Sequence, residues 1–339
     1  MPVSTYRLQL GPKLTFDQAI EQLPYLDDLG VTDLYLSPIL QAAPGSTHGY
    51  DVVDHSQISD MMGGRAAFER LATAAHARRM GVFVDVVPNH MGVPTPIYHN
   101  KALWSVLKDG PSSPYASWFD RTDEGDGMLM PFLGARIGTV LAANEITLEQ
   151  RVIPGFEDVG PQPVLAYFDH VFPVRAGTET LPLPLCVAEQ NYRLAFWRVA
   201  AEELNFRRFF DVDTLLAVRV EDPEVFDATH ALLLDLFRVG HIDGFRIDHP
   251  DGLADPRGYM RRLSMATGGA WIAAEKILEV DEEMQADWPV AGTTGYDAAW
   301  RINALHTDPN GASDLGSIAH SIATDIPGTL DEVIATSKA

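Results

Sequence analysis

The stretch "VFVDVVPNH" (82–90) constrains the fold more than any other. It begins apolar and β-branched without alternation, as a strand buried on both faces does, and turns polar only at its end. A strand of that kind needs helices on both sides of its sheet, and the chain supplies helices and strands in turn. "TYRLQL" (5–10) predicts a strand and "FDQAIEQLPYLDDLG" (16–30) a helix closed by Gly30. "VTDLYLSPIL" (31–40) predicts the next strand, and "GRAAFERLATAAHARRMG" (64–81) a helix ending at Gly81. Later, "PEVFDATHALLLDLFRVG" (223–240) is a helix with Pro at its start and Gly at its end. "IDGFRIDH" (242–249) is a strand, "DPRGYMRRLSMA" (255–266) a helix and "WIAAEKIL" (271–278) a strand. "GTTGYDAAWRINAL" (292–305) leads from a strand or loop into another helix. This alternation argues for a parallel sheet with covering helices.

From Gly92 to about Arg208 the alternation breaks. The stretch is rich in Pro, Gly and aromatic residues, with strand-like pieces such as "VLAYFDHVF" (164–172). "QNYRLAFWRVAAEEL" (190–204) reads as its one convincing helix. A loop of that length is out of place inside a compact domain, so an inserted subdomain is expected. The predicted organisation is barrel from 1 to 91, insertion from 92 to 208, and barrel again from 209 to 339.

Where polarity collects decides between sheet types. Asp85, Asn89 and His90 fall toward the end of the third predicted strand. Arg246, Asp248 and His249 fall at the end of the fourth, and Glu275 and Lys276 at the end of the fifth. Chemistry spread over several strand ends is the habit of an α/β chain of the (β/α)₈ TIM-barrel type. An open doubly wound sheet would use one switch point, usually with a Gly-rich phosphate turn, and none is found.

Composition removes several function classes. The formal net charge is −22, which repels a phosphate backbone and anionic lipid, so neither nucleic acid nor membrane is expected as a partner. One cysteine, Cys186, rules out an intrachain disulfide and a cysteine zinc site. No apolar run approaches the ~20 residues of a membrane span, and the N-terminus lacks a signal-peptide core. A reducing, cytoplasmic setting is the default. The histidines and acids show no compact metal spacing, so neither metal nor cofactor is expected, although Asp85 and Asn89 are oxygen ligands in type.

Asp248 and Glu275 are the candidate catalytic pair. Neighbouring strands lie ~4.8 Å apart, so tips of adjacent strands can bring carboxyls to the ~5–5.5 Å of retaining glycosidases. Arg246 shares a strand face with Asp248 and is expected to hold it ionised and low in pKa. Glu275 sits in an apolar strand, where burial favours the protonated acid. The same residues also fit a structural Arg–Asp pair inside a barrel. "STHGYDVVD" (46–54) brings His48, Tyr50 and Asp51 into one loop, a tyrosine face and polar edges suited to a sugar ring. An ordinary loop fits those residues as well.

"DVVPNH" (85–90), "GFRIDH" (244–249) and "AEKI" (274–277) resemble, in order, three short motifs of the α-amylase superfamily of glycoside hydrolases. "TYRLQL", "LYLSPILQAAPGSTHGYDVVDHS", "VPNHMGV", "RRFFDV", "RIDHPDGLADP" and "WPVAGTTGYD" resemble more closely its trehalose-forming branch, the maltooligosyltrehalose synthases. The resemblance implies a maltooligosaccharide substrate whose reducing-end α-1,4 bond becomes α,α-1,1; an α-1,4-glucan hydrolase of the same superfamily and an inactive, carbohydrate-binding remnant are the alternatives. It implies Asp248 as nucleophile, Glu275 as general acid/base and Arg246 as the residue orienting Asp248. His48, Tyr50 and His90 would line the subsite of the reacting glucose. Asp51, His249 and Lys276 are further candidate substrate contacts, and Asp85 and Asn89 structural groups at the site. The calcium of many α-amylases is not carried over. The family's third catalytic carboxylate, near the seventh strand, has no counterpart after Glu275. The chain is therefore expected to correspond to the N-terminal half of such an enzyme. Its barrel would stop near the sixth strand, and a complementary C-terminal chain would complete it.

Overall fold

Six strands run parallel in one sheet, in the order of the chain. They are Thr5–Leu8, Asp33–Leu36, Gly81–Val86, Gly244–Ile247, Trp271–Ala274 and Gly292–Thr293, here the first to sixth strands. The computed structural model describes residues 2–122, 127–279, 281–322 and 329–338. Each strand is added beyond the last, with no reversal of direction. A doubly wound sheet would reverse at a switch point; this one winds one way, as an incomplete (β/α)₈ barrel does.

The elements form for local reasons that also bury the right faces. The Phe16–Asp28 helix starts at a capping box in which Thr15 and Gln18 bond each other's backbone N–H. It buries Phe16, Ala19, Leu23 and Leu26 on one face. Phe16 meets the edge of Phe68 at 5.5 Å, on the Gly64–His76 helix. Each such side chain removed from water contributes about 1.5–3 kcal/mol. In the third strand, Val82 to Val86 are all buried, Asp85 among them, as a strand covered on both faces requires.

Several boundaries differ from expectation. The helix expected over 64–81 ends at His76. Arg79 takes a positive φ of 62°, and Gly81 opens the third strand instead of capping the helix. A Cβ on Gly81 would collide with the Asp33 carboxylate, so this glycine answers to a close approach between strands. The expected 31–40 strand is two, Asp33–Leu36 and Leu40–Ala42, the latter pairing antiparallel with Val52–Ile58. The fifth strand stops at Ala274. The helix expected over 190–204 is a strand at Tyr192–Phe196, parallel to Met128–Leu133, with helix only at Ala200–Glu203. Tyr, Leu and Phe there find a strand partner more than 60 residues earlier, and tertiary pairing overrides the local helical period. The rest of 92–208 includes a three-stranded antiparallel sheet, with Pro161–Tyr167 between Ile146–Val152 and His170–Pro173.

The chain divides into two compact units. The first is Met1–Lys276 with Glu283–Thr294, and holds all six parallel strands. The second is Ile277–Glu282 with Gly295–Ala339, and its described elements are the helices Tyr296–Leu305, Ala312–Ile322 and Leu330–Lys338 and one short 3₁₀ turn. No helix among the described residues is long and apolar enough to cross a membrane.

Gly244 marks where the central sheet has no slack. A Cβ there would fall on the Phe83 ring and the Trp271 carbonyl, and Phe83 is already packed edge-on against Trp271 at 4.9 Å. Gly244→Ala is expected to destabilise the protein by about 1–3 kcal/mol, the usual cost of overpacking. Urea unfolding measures it; an unchanged midpoint would show that the sheet can open there.

Candidate active site

The register of three strands builds the centre of the site. Arg246 lies opposite Asp85 on one neighbouring strand and Ala273 on the other. The ladders continue one bond past the strand ends. The Asp248 N–H donates to the Val86 carbonyl, and the Glu275 N–H to the Ile247 carbonyl, both at 2.9 Å. Backbone pairing therefore sets both carboxylates at adjacent strand tips. Arg246 Nη1 donates to Asp85 Oδ1 and Asp248 Oδ1 at 2.7 Å each, and Nη2 pairs with Glu275 Oε1 at 2.8 Å. One guanidinium thus serves three acids, whose side chains are 0% (Asp85), 9% (Asp248) and 24% (Glu275) exposed. Asp248 Oδ2 accepts no hydrogen bond from a described residue.

The charge balance overturns one expectation. Arg246 does bind Asp248, yet the Asp248 carboxyl is pushed up, from an ordinary 3.8 to about 7. Burial is the largest cause, the charges of Asp85 and Glu275 act the same way, and Arg246 opposes them. An ion pair at ~4 Å in a partly buried site is worth about 4 kcal/mol at an effective dielectric near 20. Here one cation is divided among three anions that repel one another, so burial wins. Asp85 is likewise raised, chiefly by burial, despite donors from Arg246, Tyr50 and Tyr35. Glu275 also departs from expectation: it lies just past the fifth strand, and its carboxylate accepts from the His249 N–H at 3.0 Å as well as pairing with Arg246.

The 46–54 loop reaches the same centre. The Tyr50 hydroxyl donates to Asp85 Oδ2 at 2.6 Å and accepts from Arg7 at 3.1 Å. The Tyr50 phenol is raised to about 12, mainly by burial and by Asp85. His48 stacks on Tyr50 at 6.0 Å, accepts the Tyr50 N–H at 3.0 Å, and is half exposed. Asp51 accepts from the Ser46 hydroxyl, and its backbone carbonyl lies where a Cβ on Gly92 would be, so it shapes the loop. His90 is fully buried. Its Nε2 meets the Tyr50 carbonyl at 3.1 Å and its Nδ1 faces the Asn89 amide at 3.3 Å. With its pKa lowered to about 4 by burial, the ring is neutral, which makes Nε2–H the donor and Nδ1 the acceptor. In this arrangement His90 holds the Tyr50 loop. Lys276 is buried and binds Asp251 at 3.1 Å. His249 has a positive φ of 44°, and its ring lies 4.9 Å from Phe209 and from Phe210.

Four contributors escaped the sequence. Tyr35 donates to Asp85 Oδ2 at 2.9 Å from mid-strand, and Arg7 reaches Tyr50 from the first strand. Phe209 and Phe210 reach His249 from the far end of the insertion. The strand alternation that places Arg246 also places Arg7 and Tyr35 on the face of Asp85. Among the described residues no group of three or more His, Cys, Asp or Glu could hold a metal ion.

A family model for the α-amylase catalytic domain matches residues 15–262. The chain belongs to the α-amylase family. Within it, a Mycobacterium tuberculosis protein with the provisional name maltooligosyl trehalose synthase is 42% identical over 331 residues, 95% of this chain and 41% of that one. The structure of maltooligosyltrehalose synthase from Arthrobacter ramosus matches with a TM-score of 0.88 at 42% identity, over 98% of this chain and 42% of that one. An intracellular maltogenic amylase of Bacillus subtilis is 37% identical over 100 residues, 30% of this chain. The chain spans about two-fifths of the length of the first two relatives.

The raised Asp248 fixes a pH dependence for this α-amylase family site. Between 3.8 and about 7 the folded state holds a proton that the unfolded chain has lost. Stability from this group is complete below that window and falls as pH rises through it. Asp248→Asn removes the cost of the buried charge while Arg246 keeps two other partners. The variant is expected to be more stable than the parent by about 1–3 kcal/mol at pH 8, less than the full shift because one ion pair is lost. The advantage should shrink at pH 5, which urea unfolding at the two pH values reads directly.

Proposed function

We propose that this chain supplies the nucleophile and the general acid/base of a retaining enzyme that converts the reducing-end α-1,4 bond of a maltooligosaccharide to α,α-1,1. One observation carries the proposal: Asp248 and Glu275, at the tips of neighbouring parallel strands, share the Arg246 guanidinium. The names of the Mycobacterium tuberculosis and Arthrobacter ramosus relatives support the particular rearrangement.

In the proposed reaction Glu275 gives its proton to the glycosidic oxygen while Asp248 attacks the anomeric carbon. A glycosyl–Asp248 ester forms and the terminal glucose is released. Glu275, now ionised, takes the proton of that glucose's 1-hydroxyl, whose oxygen displaces Asp248. Two inversions leave the donor carbon α. Tyr50, His48, Asp51, His249 and Lys276 are proposed to surround the reacting sugars, with His90 holding the Tyr50 loop and Asp85 and Asn89 holding the site's shape. Hydrolysis differs only in that water replaces the 1-hydroxyl, and the likeness to a maltogenic amylase keeps it as the second reading.

The greater length of the relatives supports a further proposal, that complementary C-terminal polypeptide completes the barrel and adds a third carboxylate. Leu305, Leu315 and Ile322 in the second unit are 84%, 68% and 79% exposed, apolar surface that such polypeptide would cover. A cytoplasmic setting fits the single cysteine, Cys186, which is free and buried.

Maltopentaose is the test substrate. With a complementary C-terminal polypeptide, the expected product has the same length and no reducing end. Asp248→Asn and Glu275→Gln should each lower the rate by at least ~10³-fold. Shortened, reducing products would make the chain a hydrolase, and full turnover by the 339-residue chain alone would remove the need for a complement.

A further inference from the structure

Arg207 ties the insertion to the segments that follow the third and fourth strands. Its Nε donates to Asp120 at 2.8 Å, and its Nη1 donates to Asn89 Oδ1 at 2.8 Å and to the Gly252 carbonyl at 2.5 Å. Gly252 closes the short turn Pro250–Gly252, and its N–H returns to the His249 carbonyl at 3.1 Å. The packing there has no slack, since a Cβ on Gly252 would fall into the His249 ring and onto Asn89 Oδ1. Phe209 and Phe210 flank the same ring from the residues just after Arg207.

His249 is the link to the chemistry. Its backbone is left-handed, φ 44° and ψ 53°, a conformation a side-chain-bearing residue keeps only when its surroundings impose it. In that conformation its N–H meets Glu275 Oε2 at 3.0 Å. We propose that Arg207 is a positioning residue for Glu275: its fork holds the 248–252 turn so that His249 stays left-handed and its N–H stays on the acid. The guanidinium suits this because one planar group spans a carboxylate, an amide oxygen and a backbone carbonyl, which a single ammonium cannot do.

The inference deepens the proposed function and its kinetic arm rests on that reading; a spectroscopic arm does not. Two variants separate geometry from charge. Arg207→Gln removes both. Arg207→Lys keeps the charge and loses the fork. NMR of the full chain follows the His249 amide and its imidazole titration. The groups that act on that imidazole are Glu275 and Asp251, which raise its pKa, and Arg207, which with burial lowers it. Glu275 itself faces Arg246, Asp248 and the His249 N–H.

Arg207→Gln is expected to move the His249 amide resonance as it leaves Glu275 and to raise the imidazole pKa. With the complementary polypeptide, kcat on maltopentaose should fall roughly 10²-fold, the scale of a misplaced catalytic group, with KM changed by less than about threefold. Arg207→Lys should restore the imidazole pKa but neither the amide resonance nor kcat. An unchanged His249 amide in Arg207→Gln overturns the proposal. So does full recovery of the amide and kcat by Arg207→Lys, because charge alone would then suffice. If the amide moves as expected while the parent chain makes no product, the positioning role stands and the reaction assigned to the site falls.

Discussion

One guanidinium with three carboxylates is the constraint around which this part-barrel is arranged. Burying the Arg246 guanidinium without partners would be costly, and so would crowding three carboxyls together without it. The strand register supplies the arrangement: Asp85 lies opposite Arg246, and Asp248 and Glu275 follow one ladder bond beyond the strand ends. A slip of one residue in the Gly244–Ile247 strand would turn Arg246 to the other face and leave several charges uncompensated. Val82–Val86 of the third strand and all of the fourth are buried, so a slip would have to rebury both faces, which makes it costly.

The balance within the cluster is deliberately incomplete. Burial first, and then the charges of Asp85 and Glu275, push the Asp248 carboxyl up to about 7 against the pull of Arg246. Full pairing would have kept Asp248 ionised to lower pH. The surplus of acid places stability and reactivity in opposition at one residue, a common arrangement where a site performs acid–base chemistry. The phenols of Tyr35 and Tyr50 and the guanidinium of Arg7 brace Asp85 from the first strands and the 46–54 loop. The insertion braces the opposite side through Arg207.

Much of the site could be read in the sequence because its residues sit at strand ends, where alternation and position determine direction. Arg246 and Asp248 share a face by spacing alone, and Asp85 lies at the end of an unmistakable buried strand. The pKa of Asp248 could not be read, since its sign depends on three neighbours from other strands and on how deeply they lie. The role of His90 was equally hidden. Its residue type suits a sugar contact, while its surroundings make it a neutral, buried tie to the Tyr50 carbonyl. Tyr192–Phe196 has a local helical period but is a strand, because it pairs with Met128–Leu133 far away in the chain.

The sequence by itself determined the class of fold, the order of the strands and the two carboxylates at adjacent tips. These follow from hydrophobic period, turn residues and side-chain alternation, all local properties of the chain. Only the tertiary structure decided which acids share the guanidinium, which of them is raised, and how the insertion reaches the 248–252 turn. Those outcomes depend on distances between segments as much as 160 residues apart, as with Asp85 and Arg246, and on the dielectric their packing creates. Burial and charge neighbourhood are properties of the assembled fold, and no window of the chain contains them.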